Sequence, residues 1–234
     1  MRTHRSPHLA AWLTLGLVVA LQASIVSADT ILIDFNDNST AGSGWNTFHS
    51  GNDNTTQPLI RDDGTPSGIS IELPKFRDSQ NVGWNPANPL PSWAPISVAD
   101  DYSYFNWSVD GHTKTAQFVF TGLDPAALYT IDIIASRNFD RDQDFTLSHG
   151  GGVAFYDDWN TKTDGIWAGN VLTFEDLKSD TANEIAMEIR RESLSGAFNA
   201  FRLTSAAEPN TSVPEPNTFV LTSLGLALLV ARRR

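Results

Sequence analysis

The sequence predicts an all-β fold, an antiparallel two-sheet β-sandwich, for its middle part, and three observations predict it. About ten short segments alternate apolar and polar residues between turn residues, at spacings near those of sandwiches and barrels. Seven Trp and 13 Phe against two Met favour a sheet-rich aromatic core over a helical bundle. No alternation of strand and helix patterns points to a parallel α/β sheet.

In chain order, residues 30–35 open the domain and a polar loop follows over 36–44. Segments 59–61 and 68–73 flank Asp62-Asp63-Gly64-Thr65-Pro66, where Gly64 supplies a permissive φ and Pro66 limits extension. Residues 81–99 carry prolines at 86, 89, 91 and 95, too many for any helix or central strand. Residues 102–109 alternate with Phe105, Trp107 and Val109 on one face. Ala116, Phe118 and Phe120 alternate next, and Tyr129, Ile131 and Ile133 after them. Shorter strands, 143–148 and 153–156, surround Gly150-Gly151-Gly152. Ile185, Met187 and Ile189 face one way while Glu184, Glu188 and Arg190 face the other, and 197–203 closes the domain. Only 174–178 suggests a helix, of a turn or two. The domain is placed at 29–205, and the small, polar stretch 206–212 reads as a linker.

The N-terminus reads as an export signal. Arg2 and Arg5 precede a mostly apolar stretch over 9–26, and Val26-Ser27-Ala28 fits a signal-peptidase site. Cleavage between Ala28 and Asp29 is expected, with an uncleaved anchor helix as the alternative. Sixteen basic and 27 acidic residues give a formal charge of −11. Five of the basic residues lie in the terminal segments, so residues 29–212 hold 11 basic against 26 acidic side chains, a charge of −15. Such a body repels DNA and anionic lipid and favours divalent cations, so no nucleic-acid partner is expected. The absence of cysteine excludes thiol catalysis, a lipoprotein anchor and zinc–thiolate sites.

Residues 213–234 have three parts: Val213-Pro214-Glu215-Pro216, an apolar run from Phe219 to Ala231, and Arg232, Arg233 and Arg234. The run suits a membrane, with a transmembrane segment over 218–231, and the arginines suit its cytoplasmic side. It is shorter than the roughly 20 residues of a comfortable span, a deficit that snorkelling and bilayer thinning cover. This tail resembles the PEP-CTERM sorting signal of Gram-negative bacteria. The resemblance implies an exosortase partner, an inner-membrane precursor and a mature product at the cell surface or in the extracellular matrix. An ordinary C-terminal anchor is the alternative. The tail gives an address, not an activity.

Within the body, Phe120-Thr-Gly-Leu-Asp-Pro-Ala-Ala-Leu-Tyr129 looks like a tyrosine corner, in which a phenol bonds back to upstream backbone. Asp34 in the opening strand, Gly44-Trp45-Asn46, Gly122-Leu123-Asp124-Pro125 and Phe198-Asn199-Ala200-Phe201 together resemble a galactose-binding-like jelly roll. That resemblance implies the sandwich and a structural calcium. It leaves function open, because some members bind sugars and others only pack.

Two sets of residues are candidates for ligands. Asp140, Asp142 and Asp144 either converge on calcium, which takes six to eight oxygens, or line a solvated strand face. Asp34 and Asp37 form a second calcium candidate. An EF-hand is excluded, because Phe145 stands at the sixth position and Gly151 at the twelfth. Trp84, Trp93, Trp159 and Trp167 fall at loops or strand ends, where aromatic faces either stack on sugar rings or plug the sandwich. Asp157-Asp158-Trp159-Asn160 adds polar groups beside one of them, which makes exopolysaccharide the alternative partner. His49, His112 and His149 stand apart from any recognisable partner, and no catalytic motif is present. A non-catalytic protein is expected. A glycan hydrolase using paired carboxylates is the lesser alternative.

Overall fold

The computed structural model describes residues 29–35, 41–79, 88–100, 102–105, 114–165, 170–192 and 195–207. Trp84, Trp107, Trp167, Asp37, His112, the export signal and the tail lie outside them. Three sheets form a β-sandwich. The first contains β1 (Asp29–Phe35), β2 (Trp45–Phe48), β8 (Ala127–Ile134), β11 (Leu172–Leu177) and β14 (Ala200–Ala207) in the order β11-β8-β14-β1-β2. The second contains β3 (Thr56–Ile60), β4 (Pro66–Glu72), β7 (Thr115–Thr121), β9 (Asp142–His149), β10 (Gly152–Asn160) and β12 (Ile185–Arg191) in the order β10-β9-β12-β7-β4-β3. The third, β13-β6-β5, joins β5 (Arg77–Ser79), β6 (Tyr102–Phe105) and β13 (Gly196–Phe198). Among the described residues, all pairings are antiparallel except β1 with β2, which run parallel and correct the all-antiparallel expectation.

Alternation decides the faces. Ala116, Phe118 and Phe120 of β7 point inward opposite Ile189, Met187 and Ile185 of β12. Ile31 and Ile33 of β1 meet Leu203 and Phe201 of β14, which pair in turn with Ile131 and Ile133 of β8. Phe35 is fully buried, with ring centroids of Phe201, Phe198 and Phe118 at 4.7, 4.9 and 5.3 Å. The tyrosine corner is present. The Tyr129 hydroxyl accepts from the Asp124 N–H at 2.7 Å and donates to the Asp124 carbonyl at 3.3 Å.

Three local expectations are overturned. Residues 174–178 belong to strand β11 up to Leu177, not to a helix. Phe174 and Leu177 are both buried at a helix-like spacing because the pairing with β8 shifts register between them, and Asp176 adopts a φ of +56°. The proline-rich segment does contain a helix, α1 (Ile96–Asp100). Pro95 immediately precedes it, where a missing N–H costs nothing, and its carbonyl accepts from Val98 at 3.1 Å. Val98 and Ala99 bury against Ile134 and Ala200, so this segment covers the outer face of the first sheet. The expected linker also begins too early, since Ala206 and Ala207 still pair with Leu128 and Ala127.

Chain direction sets the ends of the sandwich. Asp29 pairs with Ser205 and Ala207 with Ala127, so both ends of the described body leave from one end. The opposite end holds the close of β8 at Ile134 and the start of β14 at Ala200.

Candidate functional site

The β9–β10 hairpin carries the acidic residues singled out above, but it groups them differently. A bulge falls between Tyr156 and Trp159, with Asp158 at a φ of +55°. The bulge brings Asp157 and Asp158 to Asp144, so that one carboxylate oxygen from each lies within 4.8 Å of the others. Asp144 is buried and accepts from the Asp158 N–H at 3.1 Å. Three oxygens supply about half of a calcium shell.

The Asp140, Asp142 and Asp144 triplet does not converge. Asp140 is exposed and pairs with Lys162 at 3.6 Å, and Asp142 accepts from Asn160 Nδ2 at 2.8 Å. Asp34 lies in the opening strand as expected, but it is fully buried there, between Ala200 of β14 and Thr47 of β2, and Asp37 lies outside the described residues.

The Asp157 carboxyl is pushed above the usual carboxylate range, first by desolvation and then by its hydrogen bond to Asp144 and the charges of Asp158, Asp144 and Glu192. A raised value in the fold means that folding is penalised above it and relieved as pH falls through it. Asp157→Asn is therefore expected to raise the melting temperature at pH 7. The gain over wild type should shrink to nothing once pH drops below the ordinary carboxylate value of 3.8. Thermal scans of both proteins from pH 7 to 3 check this, and a variant less stable at pH 7 would refute it.

The aromatic platform is also corrected. Trp159 is only 4% exposed, packs edge-on to Tyr156 and Phe145, and donates from Nε1 to the Ala135 carbonyl at 2.9 Å. It is a core residue that reads as a loop residue because acidic neighbours surround it. Asn160 is committed to its own turn, its Oδ1 accepting from the N–H groups of Lys162 and Thr163 at 3.0 Å. Trp93 is half-buried, stacked on Trp45 at 6.3 Å, with the Arg202 guanidinium 5.1 Å from its ring centre.

The segment following β8 carries a feature the sequence did not disclose. Arg137 is 8% exposed, with its guanidinium 4.7 Å from the Tyr102 ring centre and 5.3 Å from that of Phe139. Its Nη1 donates to Ser195 Oγ at 2.8 Å, and no carboxylate among the described residues pairs with it. Burial holds its pKa below the usual arginine value, and the charge of nearby Arg141 adds to this against an opposing contribution from Tyr102. Arg137 Nε, Asn138 Oδ1 and Arg141 Nε are all buried without a hydrogen-bond partner. The only sequence signal was two arginines four apart in a strongly acidic body.

Two grooves open elsewhere. One of about 750 Å³ runs over β4 and β7, lined by Asn54, Thr56, Glu72, Lys75 and Gln117, with no aromatic side chain among its lining residues. The other, about 440 Å³, lies by the tyrosine corner between Arg61, Asp124 and Tyr129. His49 and His149 each cap a turn, their Nδ1 atoms accepting from the N–H of Gly51 at 3.0 Å and of Gly151 at 3.1 Å. No helix among the described residues is long and apolar enough to cross a membrane.

No known family profile matches the chain, and no curated protein matches it. Among solved structures it is similar to the carbohydrate-binding module TmCBM61 in complex with β-1,4-galactotriose. That match has 14% identity and a TM-score of 0.33, and covers 61% of this chain and 90% of the module. It is also similar to a Ruminococcus gnavus GH29 fucosidase in complex with fucose, at 12% identity and a TM-score of 0.33, over 63% of this chain and 27% of that enzyme. The enzymatically active domain of bacteriophage CBA120 tailspike protein 4 follows at 11% and 0.31, over 58% and 19%. Overlap of that size transfers neither ligand nor activity, and the β-sandwich rests on the sheets themselves.

Proposed function

We propose that this chain is a non-catalytic exported protein. Its tail holds it in the inner membrane, an exosortase trims it, and the sandwich is displayed at the cell surface or in the extracellular matrix. The observation that carries this reading is the order of Pro214-Glu215-Pro216, an apolar run and three arginines in one segment. Proline fixes φ, so the Pro-Glu-Pro element meets an enzyme already extended and loses little entropy on binding.

The geometry of the body supports it. Asp29 and Ala207 leave from the same end, which suits a domain tethered there and presenting its other end outward. The alternative, a carbohydrate-binding module on exopolysaccharide, loses Trp159 as its platform because that ring is buried.

The test is intact mass and fractionation of the protein from its own host, with and without exosortase. A mature species beginning at Asp29 and ending near Pro214–Pro216, found in the envelope or matrix only when exosortase is present, is the expected result. A C-terminus left intact and indifferent to exosortase would make the tail an ordinary anchor.

A further inference from the structure

A guanidinium that is nine-tenths buried without a carboxylate is an expensive arrangement, because desolvation of the charge is not offset by a counter-charge. Arg137 is such a group. Its two aromatic neighbours and the Ser195 hydroxyl compensate in part. They leave Nε unbonded, and the body around it carries many acidic side chains that could have supplied a partner. Arg141, close enough to depress the Arg137 pKa by like charge, compounds the cost.

The unpaired atoms are of two kinds. Arg137 Nε and Arg141 Nε are donors and need acceptors, while Asn138 Oδ1 is an acceptor and needs a donor. One five-residue segment thus presents two guanidinium groups that suit a carboxylate and one amide oxygen that suits a hydroxyl. The rings set the approach. Tyr102 is buried and Phe139 is 51% exposed, so Phe139 is the outer of the two rings that flank the guanidinium, and its exposed surface suits the apolar face of a sugar ring.

Position adds a third element. The segment follows the close of β8 at Ile134, at the end of the sandwich remote from Asp29 and Ala207. We propose that Arg137, Arg141 and Asn138, under Phe139, form a binding site for a uronic acid residue of an acidic polysaccharide. The arginines take the carboxylate, Asn138 takes a hydroxyl, and Phe139 swings aside or stacks on the ring. The site stands on the sandwich alone, so failure of the sorting reading leaves it untouched, and its own failure leaves sorting untouched.

The experiment uses the full chain in detergent at about 0.15 M salt, where the Debye length of about 8 Å screens the acidic body. Calorimetric titration with trigalacturonate is compared with neutral galactotriose and with acetate. Trigalacturonate should bind, with galactotriose and acetate at least about tenfold weaker. Arg137→Met should weaken binding about 10- to 100-fold, the scale of a lost charge-assisted hydrogen bond. Arg137→Met should also melt at or above the wild-type temperature without ligand, since an uncompensated buried charge is gone. Arg141→Met, at a half-buried position, provides a second variant that keeps the fold and should weaken trigalacturonate alone. No binding by the wild-type chain, equal binding of acetate, or binding unchanged in both variants would overturn the proposal. So would an Arg137→Met protein that melts several degrees lower while Arg141→Met still binds normally, which would make Arg137 a strut.

Discussion

Phe35→Ala is expected to cost about 3–5 kcal/mol of folding stability, the range for truncating a fully buried phenylalanine. The site favours the upper part of that range. Besides Phe198, Phe201 and Phe118, the Phe35 ring contacts Phe76 at 6.0 Å and Phe48 at 6.3 Å, so five aromatic rings would face the cavity. Those rings come from β2, β7, β13, β14 and the turn before β5, which are spread over all three sheets. No single strand can shift inward to fill the space without breaking a ladder elsewhere. Against a typical total of 5–15 kcal/mol, the loss should leave the variant marginal. Urea denaturation of the full chain in detergent measures it. A loss below about 1 kcal/mol would show that the cluster is not the centre of the core.

How far such a core is legible depends on whether alternation survives into the fold. In β7 and β12 it does, and the inward residues were readable because an undisturbed strand repeats every two residues. Tyr129 was readable for another reason, since the turn before it fixes where its hydroxyl must bond. Bulges defeated the reading elsewhere. In β11, an extra residue changes the burial period from two to three and imitates a helical turn. In β10 the bulge hides Trp159 inside the sandwich and gathers Asp144 with Asp157 and Asp158, residues that sequence spacing assigns to separate sites. The arginine end was illegible for a different cause. Tyr102, Arg137 and Ser195 meet from three separate stretches of chain, and no local pattern marks a side chain by the partner it lacks.

Asp132→Ala carries the second large effect. Asp132 lies on the outward face of β8, yet it is buried because Trp93 and the proline-rich segment cover that side of the sheet. Its Oδ2 accepts from Arg202 Nη2 at 2.6 Å and Nε at 2.7 Å, and its Oδ1 accepts from Thr173 Oγ1 at 2.7 Å. The three side chains come from adjacent strands β11, β8 and β14, so one carboxylate ties the β11 edge of the first sheet to its central strand. Removing it leaves a guanidinium beneath an indole with no counter-charge. Breaking one partner of a buried pair costs about 3–5 kcal/mol, and the partial exposure of Arg202 places this case near about 3 kcal/mol. Arg202→Met should cost less, because the apolar stem can still pack under Trp93. The double variant separates the two contributions. If the damage in Asp132→Ala is an orphaned charge, adding Arg202→Met restores part of the stability, and the two single losses will sum to more than the double. Losses that simply add would mean that the pair is a surface contact of the ordinary weak kind, and that the cover over the first sheet is looser than its packing implies.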